Sequence, residues 1–226
     1  EKIIWVFWTG RNEMSPVRKR CLSTLEERSG CKVIVITPDN LKEYEVEDDP
    51  FHEGFLKLSL THKSDYLRSY FMYYYGGAYS DIKPYSFDWQ PFFSQLENSD
   101  KDFIGAREKH EDHIASEDLV IRQAYNELAS VRLFIFKPKS PFGKLWKDAT
   151  KVKMDAILEE LCLHDGSYHP RATSTGAHGD TSVKERGYPL TWNGLLGSLL
   201  HPLQYHNRGG WLWGIPNPDI PESMYR

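Results

Sequence analysis

Two pairs of oppositely charged residues in one stretch of the chain have the chemistry to bind a polar or anionic ligand. Asp65 and Arg68 are three residues apart, a spacing at which two side chains on a helix can touch. A guanidinium braced by a carboxylate presents a rigid fork of donors, which suits a hydroxyl or a phosphate group. Asp81 and Lys83 are two residues apart, so in a strand they point to the same side of the sheet.

The local pattern predicts the elements that position these pairs. Apolar side chains between Leu67 and Tyr74 recur at helical spacing and predict one apolar face of a helix. Gly76 and Gly77 follow, and two glycines predict the end of the helix and a reversal of the chain. Residues 78–82 then alternate as in a strand. The charged pairs are therefore expected on a helix and on the strand that follows it.

The beginning of the chain predicts a βαβ unit. Residues 2–8 and 31–37 are continuous apolar runs, as expected for strands buried on both faces. Between them, Ser15 followed by Pro16 predicts the N-cap and the first position of a helix. A strand, a helix and a strand in this order imply a parallel pair. The loop after the first strand then opens at the carboxyl edge of the sheet, where open α/β sheets bind ligands.

The rest of the chain continues the alternation of strands and helices. Strands are predicted at residues 102–107 and 130–137, and helices at residues 141–163 and 190–200. Alternating elements indicate an α/β fold with a mostly parallel central sheet flanked by helices. We expect a single domain over residues 1–226, and a chain that begins without Met can be cut from a longer protein.

Composition argues against several classes of protein. The 226 residues are 40% hydrophobic and 27% charged, which is ordinary for a globular domain. The net charge is −4 and there is no large basic block, so a nucleic-acid partner is not expected. No glycine-rich dinucleotide motif follows the first strand and no P-loop occurs, which disfavours dinucleotide oxidoreductases and P-loop enzymes.

Cysteine usage and hydropathy indicate the compartment. Cys21, Cys31 and Cys162 are odd in number and lack metal-ligand spacing, so a reducing compartment is expected rather than a disulfide scaffold. No signal peptide is recognisable and no apolar run is long enough to span a bilayer. We therefore expect no membrane segment in this chain and a location in the cytoplasm or on the cytosolic side of a host cell.

Two polar segments admit more than one interpretation. Residues 108–118 contain His110 and His113, but a charged run with scattered histidines favours a solvated surface segment over a metal site. Residues 164–189 are polar and long, and such a segment in a compact domain is usually functional or disordered. Within it, residues 173–181 could close over a ligand or serve as a linker.

The charged pairs belong to a longer motif that resembles the core of DXD-type glycosyltransferases. KSDYLR at residues 63–68 and YGGAYSD at residues 75–81 are similar to the pattern SDxxR…GGxYxDxD. That pattern is typical of glycosyltransferase family thirty-two and of capsular polysaccharide synthesis proteins. The Trp-containing strand at residues 4–8 and the turn KPKSPF at residues 137–142 resemble the same families. The resemblance is good over the first two thirds of the chain and poor afterwards.

The resemblance implies a GT-A fold, a Rossmann-like sheet that binds a nucleotide-sugar at its carboxyl edge. It implies a retaining glycosyltransferase that moves a sugar from a nucleotide-sugar, preferably a UDP-sugar, to a glycan acceptor. Asp65, Arg68 and Asp81 are the implied catalytic residues, the first two at the donor sugar or its ribose. An aromatic residue at the end of the first strand would pack on the nucleobase. The implied donor-binding residues are Phe7, Trp8, Thr9, Gly10, Asp65, Arg68, Gly77, Tyr79, Ser80, Asp81 and Lys83.

The resemblance also implies a Mn²⁺ or Mg²⁺ ion held by Asp81 against the diphosphate of the donor. Both ions prefer oxygen ligands and would stabilise the charge that develops on the leaving diphosphate. The second aspartate of the family pattern is Lys83 here, so two interpretations stay open. Asp81 binds the metal with help from a C-terminal ligand, for which His206 is chosen and His201 is the other candidate. Alternatively, Lys83 contacts the phosphates itself and metal dependence is weak. We favour the first.

Two other classes of function remain as alternatives. One is a non-catalytic nucleotide-sugar or carbohydrate-binding module, in which Lys83 marks a degenerate metal site. The other is a metal-dependent phosphohydrolase that uses Asp81. It ranks last, because the sequence lacks the further aspartates and histidines that a two-metal site requires.

Overall fold

A six-stranded mixed sheet forms the centre of the molecule. The computed structural model describes residues 1–163 and 188–224. The strands are β1 (Ile3–Phe7), β2 (Lys32–Ile36), β3 (Gly77–Ser80), β4 (Phe103–Arg107), β5 (Ala129–Phe136) and β6 (Trp211–Trp213). Their order in the sheet is β2-β1-β3-β5-β4-β6, and β5 is the strand that runs antiparallel to its neighbours. The predicted α/β class with a mostly parallel sheet is confirmed, and it is consistent with a Rossmann-like GT-A fold.

Helices cover both faces of the sheet. They are α1 (Pro16–Arg28), α2 (Leu60–Tyr74), α3 (Gln90–Glu97), α4 (Leu119–Gln123), α5 (Pro141–Ala156), α6 (Leu158–Cys162) and α7 (Gly197–His206). The apolar sides of α2, α5 and α7 share one core with one face of the sheet, while α1 and α3 pack on the other face. None of the described helices has the length and apolar character needed to cross a bilayer.

Strand β1 shows why the run at the beginning of the chain is apolar throughout. Trp5 and Phe7 point into the core beneath α2, whereas Ile4 and Val6 point into the core beneath α1. Successive side chains of a strand alternate between faces, and here both faces are buried. Ile4 pairs with Val33 of β2 and with Ala78 of β3, both in parallel. The predicted βαβ unit is confirmed.

Local signals placed the boundaries of α1 and α2 correctly. The side chain of Ser15 accepts a hydrogen bond from the backbone of Arg18, and Pro16 is the first helical residue. Gly76 and Gly77 follow α2 with φ angles of +60° and +81°, where a side chain is strained. A Cβ added to Gly76 would lie 2.5 Å from the backbone nitrogen of Pro138. The chain reversal therefore requires glycine.

The structure corrects four predicted elements. The helix predicted at residues 190–200 is confirmed only from Gly197 onward, because turns occupy residues 192–196 and α7 starts at Gly197 and continues across Pro202. The single helix predicted at residues 141–163 is two helices, α5 and α6, since Ile157 leaves the helical conformation with φ −112° and ψ 4°. Strand β3 ends at Ser80 rather than residue 82, since the chain bends after it.

The fourth correction concerns the charged segment at residues 108–118. Glu108 is only 4% exposed, because its backbone continues β4 by donating to Leu128 and its side chain contacts His113. The rest of the segment is largely exposed, as expected. The interpretations offered for residues 173–181 lie outside the described residues.

Candidate functional site

A cleft of about 410 Å³ opens at the carboxyl ends of β1 and β3. Its walls are the loop after β1, the first half of α2 and the segment that follows β3. This is the edge at which open α/β sheets bind ligands. Most of the predicted donor-binding residues line it, namely Phe7, Trp8, Thr9, Gly10, Arg68, Tyr79, Ser80, Asp81 and Lys83.

Two predicted residues do not line the cleft. The side chain of Asp65 is 2% exposed and lies behind Arg68, with its Oδ1 atom 3.5 Å from Nη2 of that arginine. Gly77 lies at the amino end of β3, at the opposite edge of the sheet, where an added Cβ would be 2.9 Å from the carbonyl oxygen of Ile3. Asp65 can thus act on a ligand only through Arg68, and Gly77 shapes the turn.

Arg68 is the centre of the site and is held from several sides. One nitrogen, Nη2, lies 3.5 Å from Asp65 and 3.6 Å from Asp81, and the other, Nη1, donates to the carbonyl of Val131 at 3.1 Å. The guanidinium carbon lies 4.2 Å from the centre of the Tyr79 ring. Among the described residues its Nε atom has no hydrogen-bond partner. A cation fixed in this way is preorganised for an anion.

Both carboxylate oxygens of Asp81 are engaged by neighbouring side chains. Lys83 Nζ lies 3.0 Å from Oδ2, and the hydroxyl of Tyr79 donates to Oδ1 at 2.8 Å. Burial alone would raise the pKa of Asp81, but Lys83 and Arg68 outweigh it and lower the pKa to about 2. Asp81 is therefore ionised at neutral pH and paired with two cations.

Asp65 has the opposite electrostatic character. Burial raises its pKa to about 7, since the attraction of Arg68 does not compensate for the loss of solvent and the nearby charge of Asp81 adds to the shift. The two carboxylates that flank Arg68 therefore differ. Asp81 carries a full negative charge at neutral pH, whereas Asp65 carries only part of one.

A third cation, Arg18, was not predicted. It lies in the first turn of α1, lines the cleft and donates a hydrogen bond from Nη1 to the carbonyl of Ile82. The first turn of a helix that follows a strand lies at the carboxyl edge of the sheet, and this signal was available in the sequence. Among the described residues, Arg18, Arg68 and Lys83 thus line the cleft together with one carboxylate, Asp81.

Aromatic side chains form another part of the cleft. Phe7 is 8% exposed and its ring packs against Phe71 and Tyr79, at centroid distances of 5.0 and 5.4 Å. Trp8 is half-buried and its Nε1 donates to the carbonyl of Asn12 at 2.7 Å. Of the two aromatic candidates at the end of β1, Trp8 therefore offers more surface. Trp192 also lines the cleft and was not predicted, since it comes from a distant part of the chain.

His62 ties the segment that carries Trp192 to α2. Its ring is buried, with Nδ1 2.8 Å from the hydroxyl of Tyr188 and Nε2 2.9 Å from the carbonyl oxygen of Thr191. Burial lowers the pKa of His62 to about 4, so the ring is neutral at pH 7 and donates through Nε2. The position of Trp192 thus depends on a histidine that precedes the predicted motif.

A second cavity, of about 380 Å³, lies beside the cleft. The two share Thr9, Gly10 and Leu60 in their walls. The second cavity is mainly apolar and sits at the carboxyl ends of β1 and β2. Its further lining residues are Arg11, Ile36, Thr37, Pro38, Leu41, Phe55, Leu56, Lys63 and Leu67. A charged compartment and an apolar one thus lie side by side.

Among the described residues, those around Asp81 do not fit a divalent cation. His206 is exposed at the end of α7 and is not among the residues that line the cleft. His201 is buried, and its Nδ1 accepts a hydrogen bond from the backbone of Ala115. Within residues 1–163 and 188–224, no three His, Cys, Asp or Glu side chains are grouped as metal ligands. The metal site predicted at Asp81 and His206 stays a prediction, and the structure brings the two residues to different places.

Comparison with known proteins gives the family. Residues 1–160 of the 226 match the family described as capsular polysaccharide synthesis protein. Neither the curated proteins nor the solved structures contain a match to this chain. The matched range includes both strands that flank the cleft and the cationic residues Arg18, Arg68 and Lys83 that line it. The chain therefore belongs to the capsular polysaccharide synthesis protein family, as its motif predicted.

Proposed function

We propose that the protein is a glycosyltransferase of polysaccharide synthesis that moves a sugar from a nucleotide-sugar to a glycan acceptor. The observation that carries this proposal is the cation-rich cleft at the carboxyl edge of the sheet, with an apolar cavity directly beside it. Membership of a capsule synthesis family supports a transferase of this kind. A UDP-sugar is the donor that the resemblance to DXD-type enzymes favours.

The two compartments suit the two ends of a nucleoside diphosphate. The apolar cavity next to Thr9 and Gly10 matches a nucleobase, while the cleft presents Arg18, Arg68 and Lys83 to the diphosphate. Guanidinium and ammonium groups recognise phosphate oxygens through charge-assisted hydrogen bonds.

The cleft also suits the charge that develops during transfer. As the bond from the anomeric carbon to the phosphate oxygen breaks, its electron pair leaves with the diphosphate and the sugar becomes positive. Arg68 and Lys83 stabilise the negative charge on the leaving group, and because both are already held in place, little reorganisation is needed.

The acceptor hydroxyl then forms the new bond to the anomeric carbon. Its proton passes to the departing diphosphate oxygen, so the atoms and charges balance. If the hydroxyl enters on the side from which the diphosphate leaves, the configuration is retained and the protein need not supply a general base. Asp65 serves as a positioning residue, because it reaches the ligand only through Arg68.

A panel of nucleotide-sugars tests the proposal. We expect one donor to release free nucleoside diphosphate, faster with a capsule-type glycan acceptor than without. Arg68→Met should abolish this release, because the side chain lines the cleft. Arg132→Met is the matched control, since this arginine also lies at the carboxyl edge but does not line the cleft. If no donor is consumed, or if both variants behave alike, the proposal fails.

Because Asp81 is paired with Lys83, a second candidate function is retained, namely a module that binds a nucleotide-sugar without catalysis. A module of this kind would bind the nucleotide-sugar in the same cleft and leave it intact. Calorimetric binding without turnover, over a range of glycan acceptors, would favour it over the transferase.

A further inference from the structure

We propose that the ammonium group of Lys83 takes the place of a divalent cation in this site, so that the protein binds a nucleoside diphosphate without metal. The inference rests on the proposed function, since it concerns the same diphosphate. It departs from the expectation that Asp81 holds Mn²⁺ or Mg²⁺, and it follows from where the charges around Asp81 lie.

The position of Lys83 is the first step. Its side chain is 9% exposed and Nζ lies 3.0 Å from Oδ2 of Asp81, the carboxylate that follows β3. A metal ion on that oxygen would place two positive charges beside a buried ammonium group. Like charges at this range repel strongly where water is scarce. The ammonium and a metal ion therefore compete for the same oxygen atom, and the ammonium is covalently part of the chain.

The other oxygen of Asp81 is no better placed for a metal. Oδ1 accepts a hydrogen bond from Tyr79 at 2.8 Å and lies 3.6 Å from Nη2 of Arg68. Mn²⁺ and Mg²⁺ require several oxygen ligands, and Asp81 is the one carboxylate among the described residues that line the cleft. The coordination sphere would have to be built almost entirely by the ligand and water.

The charged groups that line the cleft favour the binding of a diphosphate without a metal ion. Among the described residues, Arg18, Arg68 and Lys83 line the cleft together with one carboxylate, Asp81. A diphosphate would bring negative charge to these cations, whereas a metal ion would add positive charge beside them.

The loop after β3 holds these cations in fixed positions. Arg18 donates to the carbonyl of Ile82, and the backbone N–H of Lys83 donates to the carbonyl of Asp81 at 2.9 Å. The loop that carries the ammonium is thus tied to α1 and closed on itself. Preorganised cations of this kind can perform the electrostatic role that a metal ion has in related chemistry.

Isothermal titration of the wild-type protein is the primary test and needs no variant. UDP, GDP, ADP and CDP are each titrated in the presence of EDTA and again with Mn²⁺. We expect at least one nucleotide to bind with the same dissociation constant, within about twofold, in both conditions. Binding that requires Mn²⁺ would overturn the inference and leave the proposed function standing. Absence of binding in both conditions would overturn the two together.

Two variants of Lys83 sharpen the test. Lys83→Met keeps most of the apolar stem and removes the charge, so affinity in EDTA should fall about tenfold or more. Lys83→Asp restores a second carboxylate two residues after Asp81. It should bind poorly in EDTA and regain affinity with Mn²⁺, and it should retain protein-bound Mn²⁺ in an electron paramagnetic resonance measurement. Equal affinity of wild type and Lys83→Met in EDTA would contradict the inference.

Discussion

Two clusters of charged residues flank β5 at the same edge of the sheet. The cleft cluster consists of Arg68, Asp81 and Lys83, and the β4 cluster consists of Glu108, His113 and Arg132. Each is built around a carboxylate that directly follows a strand, Asp81 after β3 and Glu108 after β4. Lys83 and Arg68 lower the pKa of Asp81, and the hydrogen bond from His113 together with the charge of Arg132 lowers the pKa of Glu108, although burial alone would raise both. In residue types and position the clusters are alike.

They differ in where the remaining donors of their arginines point. Arg68 faces the cleft, whereas Arg132 donates to the side chain of Asn217 at 2.9 Å and to that of Ser130 at 3.2 Å. Asn217 in turn donates to the carbonyl of Arg107. The β4 cluster therefore holds the C-terminal segment against the sheet, while the cleft cluster lines a cavity in which we propose that the donor binds. Similar pairs of charged residues can thus stabilise the chain or line a cleft.

The largest expected difference is in nucleotide affinity, between variants of Arg68 and Arg132. Arg68→Met should weaken nucleoside diphosphate binding at least tenfold and destabilise the fold by about 3 kcal/mol, because it removes the cation beside the buried Asp65 and one of the two cations paired with Asp81. Arg132→Met should leave the affinity unchanged, since its side chain is outside the cleft. Titration calorimetry and urea unfolding measure the two effects. A similar loss of affinity in both variants would show that the clusters are not functionally distinct.

The next largest expected difference is in the stability of the fold, between variants of Asp81 and Glu108. Asp81→Asn removes the carboxylate that pairs with both Lys83 and Arg68, whose side chains are at most 10% exposed, and should cost about 3 kcal/mol. Glu108→Gln should cost about 1 kcal/mol, since the partner side chains are 26% and 46% exposed and water can solvate them. Urea unfolding of the two variants measures this. Equal losses would mean that the exposure of the partners does not set the cost.

A smaller difference in nucleotide affinity is expected between variants of two tryptophans, Trp192 and Trp213. Trp192→Ala should weaken nucleotide binding about fivefold, corresponding to roughly 1 kcal/mol of lost ring contact in the cleft. Trp213→Ala is the control, since Trp213 is not among the described residues that line the cleft and its ring contacts the guanidinium of Arg107, at 4.4 Å. We expect unchanged affinity for the control by the same titration. A loss of affinity in Trp213→Ala alone would reverse the assignment of the two regions.

The last expected effect depends on pH and concerns two buried histidines, one near each cluster. Burial lowers the pKa of His62 and of His201 to about 4. In the unfolded chain these rings take up protons below about pH 6.5, so the folded state loses stability as the pH falls from there towards 4. Each should contribute about 1 kcal/mol per pH unit around pH 5.

Thermal unfolding between pH 7 and pH 5 measures this dependence. Replacing either residue, as in His62→Asn or His201→Asn, should make the decline in melting temperature shallower than in the wild type. The direction is the same in both regions, so this prediction tests burial rather than function. Parallel pH curves for the wild type and both variants would rule out these histidines as the source.

Much of the site could be predicted because its signals are local. Ser15 and Pro16 set the start of α1 through backbone chemistry that involves only the next few residues. Gly76 and Gly77 are required by positive φ angles, which leaves few alternatives at the end of α2. The apolar run of β1 implied a strand buried on both faces.

Other features depend on contacts between distant parts of the chain, and the sequence pattern did not reveal them. Trp192 reaches the cleft because His62 binds its segment from α2. Strand β3 ends at Ser80, after which the N–H of Asp81 still donates to the carbonyl of Arg132 on β5. Glu108 looked like part of an exposed charged run and is buried by partners from α7 and β5, among them His201 and Arg132.

The sequence by itself determined the α/β class, the first βαβ unit and the motif that carries Arg68, Asp81 and Lys83, because caps, glycine turns and apolar periodicity act over a few residues. Only the tertiary structure decided how the charges of that motif are balanced. It brings Arg18 into the cleft, removes Asp65 from it and separates Asp81 from His206. The net charge of a site is the sum over all charged groups that lie near it. Which groups lie there is decided by how the helices pack on the sheet.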